Sequence, residues 1–389
     1  MPWIMGVLES SSTRPRHESL LARWRFPRKI RVALNAAATG GALDAALETL
    51  FLPLFTGAVS WPNGGRVLFM RARAGVPLQR IARNELICEQ SFRPYADALV
   101  DAGFGATADT EEKFRLILLL APRQRDEARA LFAHALQRAT ADGVVVASML
   151  NKEGARSGES DLTQLTGAVQ NLSKNKCRVF WNDPLATGPD HDLVAAWAAL
   201  DAPRTIADGR FLSRPGLFAW DRIDAASALL AHSLPGDLAG RGADLGAGFG
   251  YLSAEVLARC PRVVALDLYE AEARALELAR LNLARLAPSG ADSRVDLDFF
   301  WHDVTKGLAQ RYDFIVSNPP FHLGRADTPG LGRGFIAAAA AALNPGGRLW
   351  LVANRHLPYE AELAGRFAKV RVVVEAGGYK VIEAVKANP

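Results

Sequence analysis

Cysteine is scarce in this sequence. Three cysteines, Cys88, Cys177 and Cys260, stand far apart among 389 residues, and none belongs to a Cys-x-x-Cys pair. Disulfide-rich secreted domains and structural zinc sites need paired or closely spaced cysteines. The sequence therefore favours a reducing compartment, which we take to be the cytoplasm. It predicts neither a disulfide framework nor a metal site.

Long hydrophobic runs are also missing, although 49% of the residues are hydrophobic. No run reaches the ~18–20 apolar residues that span a bilayer, so we expect no membrane partner. The formal net charge of +5 is compatible with a nucleic-acid partner and equally with an arginine-rich surface. The basic segment 14–29, which contains Trp24 and Phe26, has two similar interpretations. It could contact RNA or form a frayed arm.

The first half of the chain alternates strands with helices. The predicted strands are 31–35, 66–70, 114–120, 143–148 and 177–181, and the predicted helices are 42–50 and 123–140. Such alternation is typical of an α/β domain with a largely parallel sheet. A polar stretch with Pro184, Gly188 and Pro189 follows. We expect this stretch to connect two domains, which we place at residues 1–190 and 191–389.

The second half repeats the alternation. Strands are predicted at 241–245, 262–266, 295–300, 311–316, 348–352, 370–375 and 379–385, and helices at 193–200, 251–259, 271–286 and 335–343. Gly377-Gly378 joins the last two strands, and so short a glycine connection is typical of a hairpin. We therefore expect a doubly wound, Rossmann-like sheet that ends in an antiparallel pair. The shared pattern of the two halves suggests a duplicated domain.

A glycine-rich turn follows the first strand of the second half. Asp244 precedes it, and Gly246, Gly248 and Gly250 form it before a helix begins. Doubly wound sheets bind ligands at the carboxyl ends of their strands, and glycine lets the backbone approach a ligand. Tyr251 stands where a dinucleotide fingerprint has its last glycine. The pattern favours S-adenosylmethionine over a nicotinamide cofactor, and the plain alternative is a tight structural turn.

Two further acids are predicted at the ends of the next strands. Asp267 follows an apolar strand, and a carboxylate there can accept both ribose hydroxyls of a nucleotide. Asp303 follows the third strand, where it could accept the adenine amino group while Val304 packs on the ring. The alternative for Asp303 is a helix N-cap. Three acids after three successive strands are harder to attribute to chance than one.

The fourth strand runs into Asn318, Pro319, Pro320 and Phe321. The lone pair of an exocyclic amino group is delocalised, so acceptors on its N–H bonds help to direct that lone pair at a methyl donor. The Asn318 side-chain oxygen and the Pro319 carbonyl can be those acceptors. The prolines fix φ, and Phe321 offers a face on which a base can stack. We predict that these four residues are catalytic and that Asn318 also contacts the cofactor, whereas a rigid turn is the structural alternative.

Several longer motifs are shared with one known family. They are Asn318-Pro-Pro-Phe-His322, Leu343-Asn-Pro-Gly-Gly347, Val352-Ala-Asn-Arg-His-Leu-Pro-Tyr359 and Gly378-Tyr-Lys-Val-Ile382, with less specific matches at 151–157, 173–179, 215–218 and 223–227. On these residues the chain resembles the ribosomal RNA guanine-N2 methyltransferases of the RsmC type, which are class I methyltransferases. The resemblance covers most of the chain. One departure is Ala226, where the family has glycine, which weakens a direct cofactor role for Asp224.

The resemblance implies two tandem methyltransferase-like domains, of which only the second binds S-adenosylmethionine. It also implies that the product is N2-methylguanine in ribosomal RNA and that the partner is ribosomal RNA or a ribosomal subunit, with the chain acting as a monomer. The first domain would then assist folding and RNA docking. Candidate substrate or RNA contacts are His322, Lys380, Arg71, Arg73, Arg80, Arg83, Arg156, Lys174 and Lys176.

Two alternatives remain open at the level of sequence. Another amino-group methyltransferase, acting on adenine N6 or on a protein glutamine, uses the same Asn-Pro-Pro motif. A non-catalytic RNA-binding or assembly factor could have kept the fold. The intact set of Gly246, Gly248, Gly250, Asp267 and Asn318 argues against the second alternative. His322 and the duplicated first half favour guanine over the first.

Overall fold

The computed structural model describes residues 44–107, 112–184, 188–286, 295–320, 322–323, 326–327 and 329–388. The described residues from 45 onwards belong to one compact unit. The predicted strand 31–35 and the basic segment 14–29 lie outside the described residues. No helix in the described part of the chain is long and apolar enough to cross a membrane.

Seven strands of the first half make one sheet. They are β1 (Val67–Met70), β2 (Leu86–Glu89), β3 (Ala106–Thr107), β4 (Phe114–Leu120), β5 (Ala139–Leu150), β6 (Val169–Lys174) and β7 (Cys177–Asn182). Their order is β3-β2-β1-β4-β5-β7-β6. β7 is antiparallel to β5 and to β6, and the other neighbouring strands of this sheet are parallel to each other. The hairpin of β6 and β7 was not predicted, because its turn is Asn175-Lys176 rather than a glycine pair.

Seven strands of the second half repeat this arrangement. After the short pair β8 (Arg204–Ile206) and β9 (Phe211–Ser213) come β10 (Ala239–Leu245), β11 (Arg262–Glu270), β12 (Asp296–Trp301), β13 (Tyr312–Ser317), the short pair β14 (His322–Leu323) and β15 (Ala326–Asp327), β16 (Leu343–Asn354), β17 (Lys369–Ala376) and β18 (Tyr379–Val385). The second large sheet has the order β12-β11-β10-β13-β16-β18-β17. Its terminal hairpin is antiparallel. The predicted class, two tandem doubly wound α/β sheets, is confirmed.

Helices cover both faces of the second sheet. The α-helices of the described residues are α1 (Ala45–Leu50), α2 (Leu52–Thr56), α3 (Arg93–Asp101), α4 (Arg125–Arg138), α5 (Ala155–Thr166), α6 (His191–Ala198), α7 (Ala225–Ser233), α8 (Tyr251–Arg259), α9 (Ala273–Leu286), α10 (Pro329–Ala342) and α11 (Glu360–Ala364). Val256 of α8 and Leu278 of α9 pack with Phe314 on one face, and Ile336 of α10 packs with Ile315 on the other. A strand buried on both faces reads as a continuous apolar run, which is why β13 was predictable.

The strand order places two loops side by side at the carboxyl edge of the second sheet. β10 lies between β11 and β13 and is parallel to both. Leu245 at the end of β10 is paired with Ser317 at the end of β13. The chain reverses its direction of travel across the sheet between these two strands, and such a switch point is where open α/β sheets bind ligands. The residues after Leu245 and Ser317 are therefore neighbours.

Candidate active site

The glycine loop after β10 has the backbone shape that its sequence predicts. Gly246, Gly248 and Gly250 have φ values of 76°, 56° and 89°, all in the left-handed region that favours glycine. The N–H groups of Gly246 and Ala247 donate to the carbonyl of Tyr269 at 2.8 and 3.1 Å. These bonds tie the loop to the neighbouring strand β11 and hold it at the carboxyl edge of the sheet.

The acid at the end of β11 is Glu270, and the prediction that Asp267 ends this strand is wrong. Glu270 accepts from Gly248 N on one oxygen and from Glu272 N on the other, each at 2.8 Å. Burial raises the pKa of Glu270, and these backbone hydrogen bonds oppose the shift. The strand was predicted too short, although Leu268 and Tyr269 continue its apolar run. That continuation was the signal that could have identified Glu270.

Asp267 lies inside the sheet instead of at its ligand edge. It is 0% exposed, and its two oxygens accept from the Arg241 guanidinium and the Tyr312 hydroxyl, each at 2.7 Å. The Tyr312 hydroxyl is also 2.7 Å from that of Tyr269. A buried carboxylate whose two oxygens are occupied in this way stabilises the sheet. The structure does not bring Asp267 to the glycine loop.

Backbone hydrogen bonds from the first half of the chain fix the segment that follows Glu270. Arg93 N donates to Ala271 O at 2.8 Å, and Ala273 N donates to Ser91 O at 2.9 Å. The Trp301 indole, at the end of β12, donates to the carbonyls of both Ser91 and Ala271 at 2.9 and 2.8 Å. This short antiparallel contact joins the two halves beside Glu270.

Asp244 stands one residue before the end of β10 and is fully buried. One of its oxygens accepts from the Ser253 hydroxyl at 2.7 Å. Its other oxygen, Oδ1, is buried with no hydrogen-bond partner among the described residues. Burial raises its pKa to about 7, against the hydrogen bond from Ser253 and with the help of the charge of Glu270. A cationic ligand close by would favour the ionised form.

Asn318 follows β13, beside the glycine loop. The Ser317 hydroxyl donates to Leu245 O at 2.7 Å and fixes the start of this turn. The amide nitrogen of Asn318 donates to Asp224 Oδ2 at 3.0 Å and to Ser227 Oγ at 2.8 Å. Because a carboxylate only accepts hydrogen bonds, Asp224 requires the amide nitrogen on its side. The side-chain oxygen Oδ1 of Asn318 is therefore turned away from both groups.

The rest of the Asn-Pro-Pro-Phe motif is only partly described. Pro319 is buried and Pro320 is exposed. Phe321 lies outside the described residues, and of His322 only the backbone, at the start of β14, is described. The predicted roles of Phe321 and His322 therefore remain predictions.

A cleft of about 440 Å³, open to solvent, joins the glycine loop to Asn318. Its lining consists of Phe218, Ala219, Asp224, Ser227, Gly246, Ala247, Gly248, Phe249, Tyr251, Leu252 and Asn318. These lining residues include one carboxylate and no basic side chain. Phe218 is 73% exposed at this cleft, which is unusual for an apolar side chain of its size.

Asp303 and Val304 follow β12 and do not line this cleft. Asp303 caps a short 3-10 helix, Val304–Lys306, and its Oδ1 accepts from Thr305 N at 3.0 Å and from Thr305 Oγ1 at 2.6 Å. Val304 is only 2% exposed. The N-cap interpretation of Asp303 is thus present in the structure, and its contact with adenine remains a prediction.

Two of the predicted RNA contacts are held by ion pairs from distant segments. Lys380 is 3% exposed, donates to Leu357 O at 2.8 Å and pairs with Glu360. The Arg71 side chain is 32% exposed and pairs at 2.7 Å with Glu127, which is itself 2% exposed. The contacts of Lys380 and Arg71 with RNA remain predictions.

The remaining basic candidates keep more of their surface. Lys174 and Lys176 are exposed at the β6–β7 turn. Arg73 is half-buried, with its guanidinium 4.9 Å from the ring centroid of Tyr95. Within the described ranges, no group of three or more histidine, cysteine, aspartate or glutamate side chains could hold a metal ion.

Comparisons with known proteins agree with this geometry. The family of the methyltransferase small domain matches residues 208–383. A ribosomal RNA small subunit methyltransferase C from Shewanella pealeana is 30% identical over 299 residues, which cover 76% of this chain and 84% of the relative. The protein of the same name from Yersinia enterocolitica is 29% identical over 310 residues, or 80% of this chain and 86% of the relative.

One solved structure is similar over both halves. The T. thermophilus 16S rRNA N2 G1207 methyltransferase (RsmC), in complex with AdoMet and guanosine, has a TM-score of 0.72 at 23% identity and covers 89% of this chain and 93% of its own. Because the identity is low, this likeness supports the fold. The identity and coverage of the Shewanella relative go further and confirm the resemblance found in the motifs. The chain belongs to the family of ribosomal RNA small subunit methyltransferase C proteins.

Proposed function

We propose that this chain transfers a methyl group from S-adenosylmethionine to the exocyclic N2 amino group of a guanine in small-subunit ribosomal RNA. The observation that carries the proposal is the orientation of the Asn318 amide, whose oxygen is left to accept a hydrogen bond beside the glycine loop. The names of the relatives supply the substrate class, and the T. thermophilus structure holds AdoMet and guanosine.

The cleft fits the charge of the proposed cofactor. S-adenosylmethionine carries a sulfonium and an ammonium group, and when bound it supplies the methyl group from the sulfonium. Asp224 is the one carboxylate among the described lining residues, and the buried Asp244 has an oxygen without a partner among the described residues. Gly246 and Gly248 leave room for the backbone to approach the ligand. Cations are stabilised by such a site, so the donor set fits this cofactor.

Glu270 takes the role that the sequence assigned to Asp267. It ends β11 at the carboxyl edge and is oriented by Gly248 N and Glu272 N. A carboxylate at this place can accept the ribose hydroxyls of a nucleoside. Asp303 and Val304, after the next strand, would then lie on the adenine side of the site.

The target amino group would be held by acceptors on its N–H bonds. Asn318 Oδ1 and the Pro319 carbonyl are those acceptors, and Phe321 stacks on the base. Transfer forms one N–C bond as the S–C bond breaks, and the nitrogen then releases one proton to water. No covalent bond to the protein is needed, so the contribution of the chain is positioning and electrostatics. A base within a helix would first have to be flipped out.

The same proposal names the partner of the chain and gives each of its two domains a role. Residues 191–389 would be the catalytic domain and residues 1–190 a domain that supports folding and RNA docking, with Lys174 and Lys176 among its phosphate contacts. A chain that modifies ribosomal RNA would work in the cytoplasm, and we propose that it acts as a monomer. Light scattering at working concentration tests the monomer.

Nucleoside analysis tests the reaction. The purified chain is incubated with methyl-labelled S-adenosylmethionine and with small subunits, or their RNA, from cells that lack the corresponding modification. We expect labelled N2-methylguanosine in the digested RNA. Labelled N6-methyladenosine, or label in protein, would replace the guanine proposal by one of the other amino-group activities. RNA binding without any transfer would favour an assembly factor.

A further inference from the structure

Two residues outside the Asn-Pro-Pro-Phe motif contact its asparagine. Asp224 and Ser227 come from the start of α7 and lie 94 and 91 positions from Asn318 in the chain. Their side chains accept both hydrogens of the Asn318 amide, at 3.0 and 2.8 Å. Both also line the cleft that contains the glycine loop. The two contacts are therefore made inside the proposed active site.

The Asp224 oxygen that accepts from Asn318 also caps the helix α7. Asp224 is the N-cap of α7, and its Oδ2 accepts from Ser227 N at 2.9 Å while it accepts from Asn318 Nδ2 at 3.0 Å. Ala226 between them is 2% exposed, so the first turn of α7 is packed into the second half. Capping fixes the side chain of Asp224, and the helix backbone fixes the origin of Ser227. Asn318 is thus held by a rigid pair.

The orientation of the Asn318 amide decides its chemistry. An asparagine side chain ends in an oxygen that accepts and a nitrogen that donates, and the two exchange places if the amide turns over. A target amino group needs an acceptor, and a turned amide would present a second donor to it. Asp224 accepts only, so turning the amide would place its oxygen against the carboxylate. The pair therefore opposes the inactive orientation.

We infer that Asp224 and Ser227 are positioning residues that hold the Asn318 amide with its oxygen towards the target amino group. The inference rests on the proposed function and names two residues of that site that act through Asn318. The N-terminus of α7, which lies outside the Asn-Pro-Pro-Phe motif, therefore takes part in the methyl-transfer step.

Single-turnover methylation of small-subunit RNA, with cofactor binding measured separately, tests the pair. Ser227→Ala removes one acceptor, and we expect the rate to fall about 10-fold. Asp224→Ala removes the charged acceptor, and we expect a fall of about 100-fold. Ser227→Ala should leave cofactor affinity close to that of the unchanged chain, and both variants are compared at saturating cofactor because Asp224 also lines the cleft proposed for the cofactor. A loss of rate that saturating cofactor restores would overturn the inference.

Conservative and matched variants separate positioning from folding. Asp224→Asn keeps an oxygen that can accept both hydrogen bonds and keeps a good N-cap, so most of the activity should remain. If Asp224→Asn is as slow as Asp224→Ala, a direct role of the charge replaces the inference. Ser233→Ala, in the same helix, removes a hydroxyl bonded to Leu229 O at 2.8 Å, and Asp221→Ala removes an exposed acid. Both control variants should be fully active.

The decisive readout is a double-mutant cycle with Asn318. If Asp224 and Ser227 act through Asn318, their substitutions should have no further effect on the residual rate of Asn318→Ala. Losses that multiply in that background overturn the positioning role. Methylation of adenine by the unchanged chain would overturn the guanine proposal alone, because the cycle can still be measured on that product. Guanine methylation with independent losses would overturn the positioning inference alone.

Discussion

The turn after the central strand has the same backbone conformation in both sheets but a different residue. Gly246 follows β10 with φ 76°, and Arg71 follows β1 with φ 53°. In the first half the Arg71 guanidinium pairs with Glu127, which also binds Arg274 of the second half. An arginine in a left-handed conformation costs energy that its ion pair offsets. One fold thus uses this turn for a ligand in one half and for a contact between halves in the other.

The neighbouring strand shows the same divergence in finer detail. Gln90 in the first half and Glu270 in the second each accept, on one oxygen, from the backbone N–H two residues later, at 2.8 Å. The other end of Gln90 donates to Ala72 O at 2.6 Å, whereas that of Glu270 accepts from Gly248 N at 2.8 Å. In the first half, the neutral amide of Gln90 thus connects two backbone segments. A carboxylate in the second half keeps acceptor capacity for a ligand.

The last comparison concerns β4 and β13, which have the fourth place in the strand orders of the two sheets. In the strand pairing, Leu120 at the end of β4 has the place of Asn318, and Ala121-Pro122 has the place of Pro319-Pro320. This turn of the first half has a proline but no side chain that could accept a hydrogen bond from an amino group. The fold thus provides the same location in both halves, and the proposed activity depends on the side chain that only the second half has there.

The largest effect is expected for a change of Asn318, after β13. Asn318→Ala should lower kcat for RNA methylation by about 100- to 1,000-fold, because one preorganised acceptor at the reacting group is lost. Ala121→Asn, which places an asparagine in the corresponding turn of the first half, should leave kcat unchanged. Steady-state kinetics with label transfer measures both. A large effect of Ala121→Asn would break the comparison.

A smaller effect is expected for the pair Glu270 and Gln90. Glu270→Gln has one acceptor fewer, so Gly248 N or Glu272 N would face an amide NH₂ group, and cofactor affinity should fall by about 10- to 100-fold. Gln90→Ala should lower the melting temperature and leave the affinity unchanged. Isothermal titration also gives the stoichiometry, which we expect to be one cofactor per chain. A second cofactor per chain would show that the first half binds one too.

The pH dependence of cofactor binding sharpens the comparison further. The pKa of Asp244 is about 7, raised mainly by burial, so the folded chain holds a proton there over a range in which the unfolded chain has lost it. The free energy of unfolding therefore falls as pH rises towards 7. A cationic cofactor favours the ionised form, so affinity should rise by up to about tenfold per pH unit towards pH 7 and level off above.

Variants at the two equivalent positions test that pH dependence. Asp244→Asn should flatten the curve of affinity against pH and leave the contribution of Glu270, whose pKa burial also raises. Phe69 is buried at the equivalent place in β1, and Phe69→Leu should not change the curve. Titration calorimetry between about pH 5.5 and pH 8.5 in two buffers also counts the released proton. An affinity that falls with rising pH would contradict the assigned sign.

The smallest effect concerns the hairpin turns. Asn175-Lys176 joins β6 to β7, and Gly377-Gly378 joins β17 to β18, both with positive φ at each residue. Lys174 and Lys176 are exposed at the first turn. Their joint change to alanine should weaken RNA binding a few-fold at moderate salt and reduce the salt slope by about 2. Glu375→Ala, beside the second turn, is the control, and an equal loss there would remove the distinction.

Regular elements were predictable where the apolar pattern was strong. The observed bounds of β4, α8 and β18 are those predicted, because each has an apolar run or a helical period between clear end signals. The helix α3, which begins with Arg93-Pro94, was not predicted, although its buried residues Ala96 and Leu99 have helical spacing. The bound of β11 was set too early, and this error put Asp267 instead of Glu270 at the end of the strand.

Exposure of charged residues was predicted less well than the elements that carry them. Lys380 sits on a correctly predicted strand, yet Glu360 and Leu357 bury its ammonium group. Arg71 follows a correctly predicted strand, yet Glu127 of α4 pairs with it. Long basic side chains are usually exposed, and only a partner brought by another segment reverses this.

The sequence by itself determined the doubly wound α/β class, the glycine loop and the Asn-Pro-Pro turn. These features depend on local periodicity and on backbone conformations that few residues allow. Tertiary structure decided which carboxylates serve the site. Asp267 is enclosed by Arg241 and Tyr312, whereas Asp224 reaches Asn318 across 94 positions of sequence. The physical reason is that the environment of a carboxylate is made by neighbours in space, and these come from strands and helices that no local pattern connects.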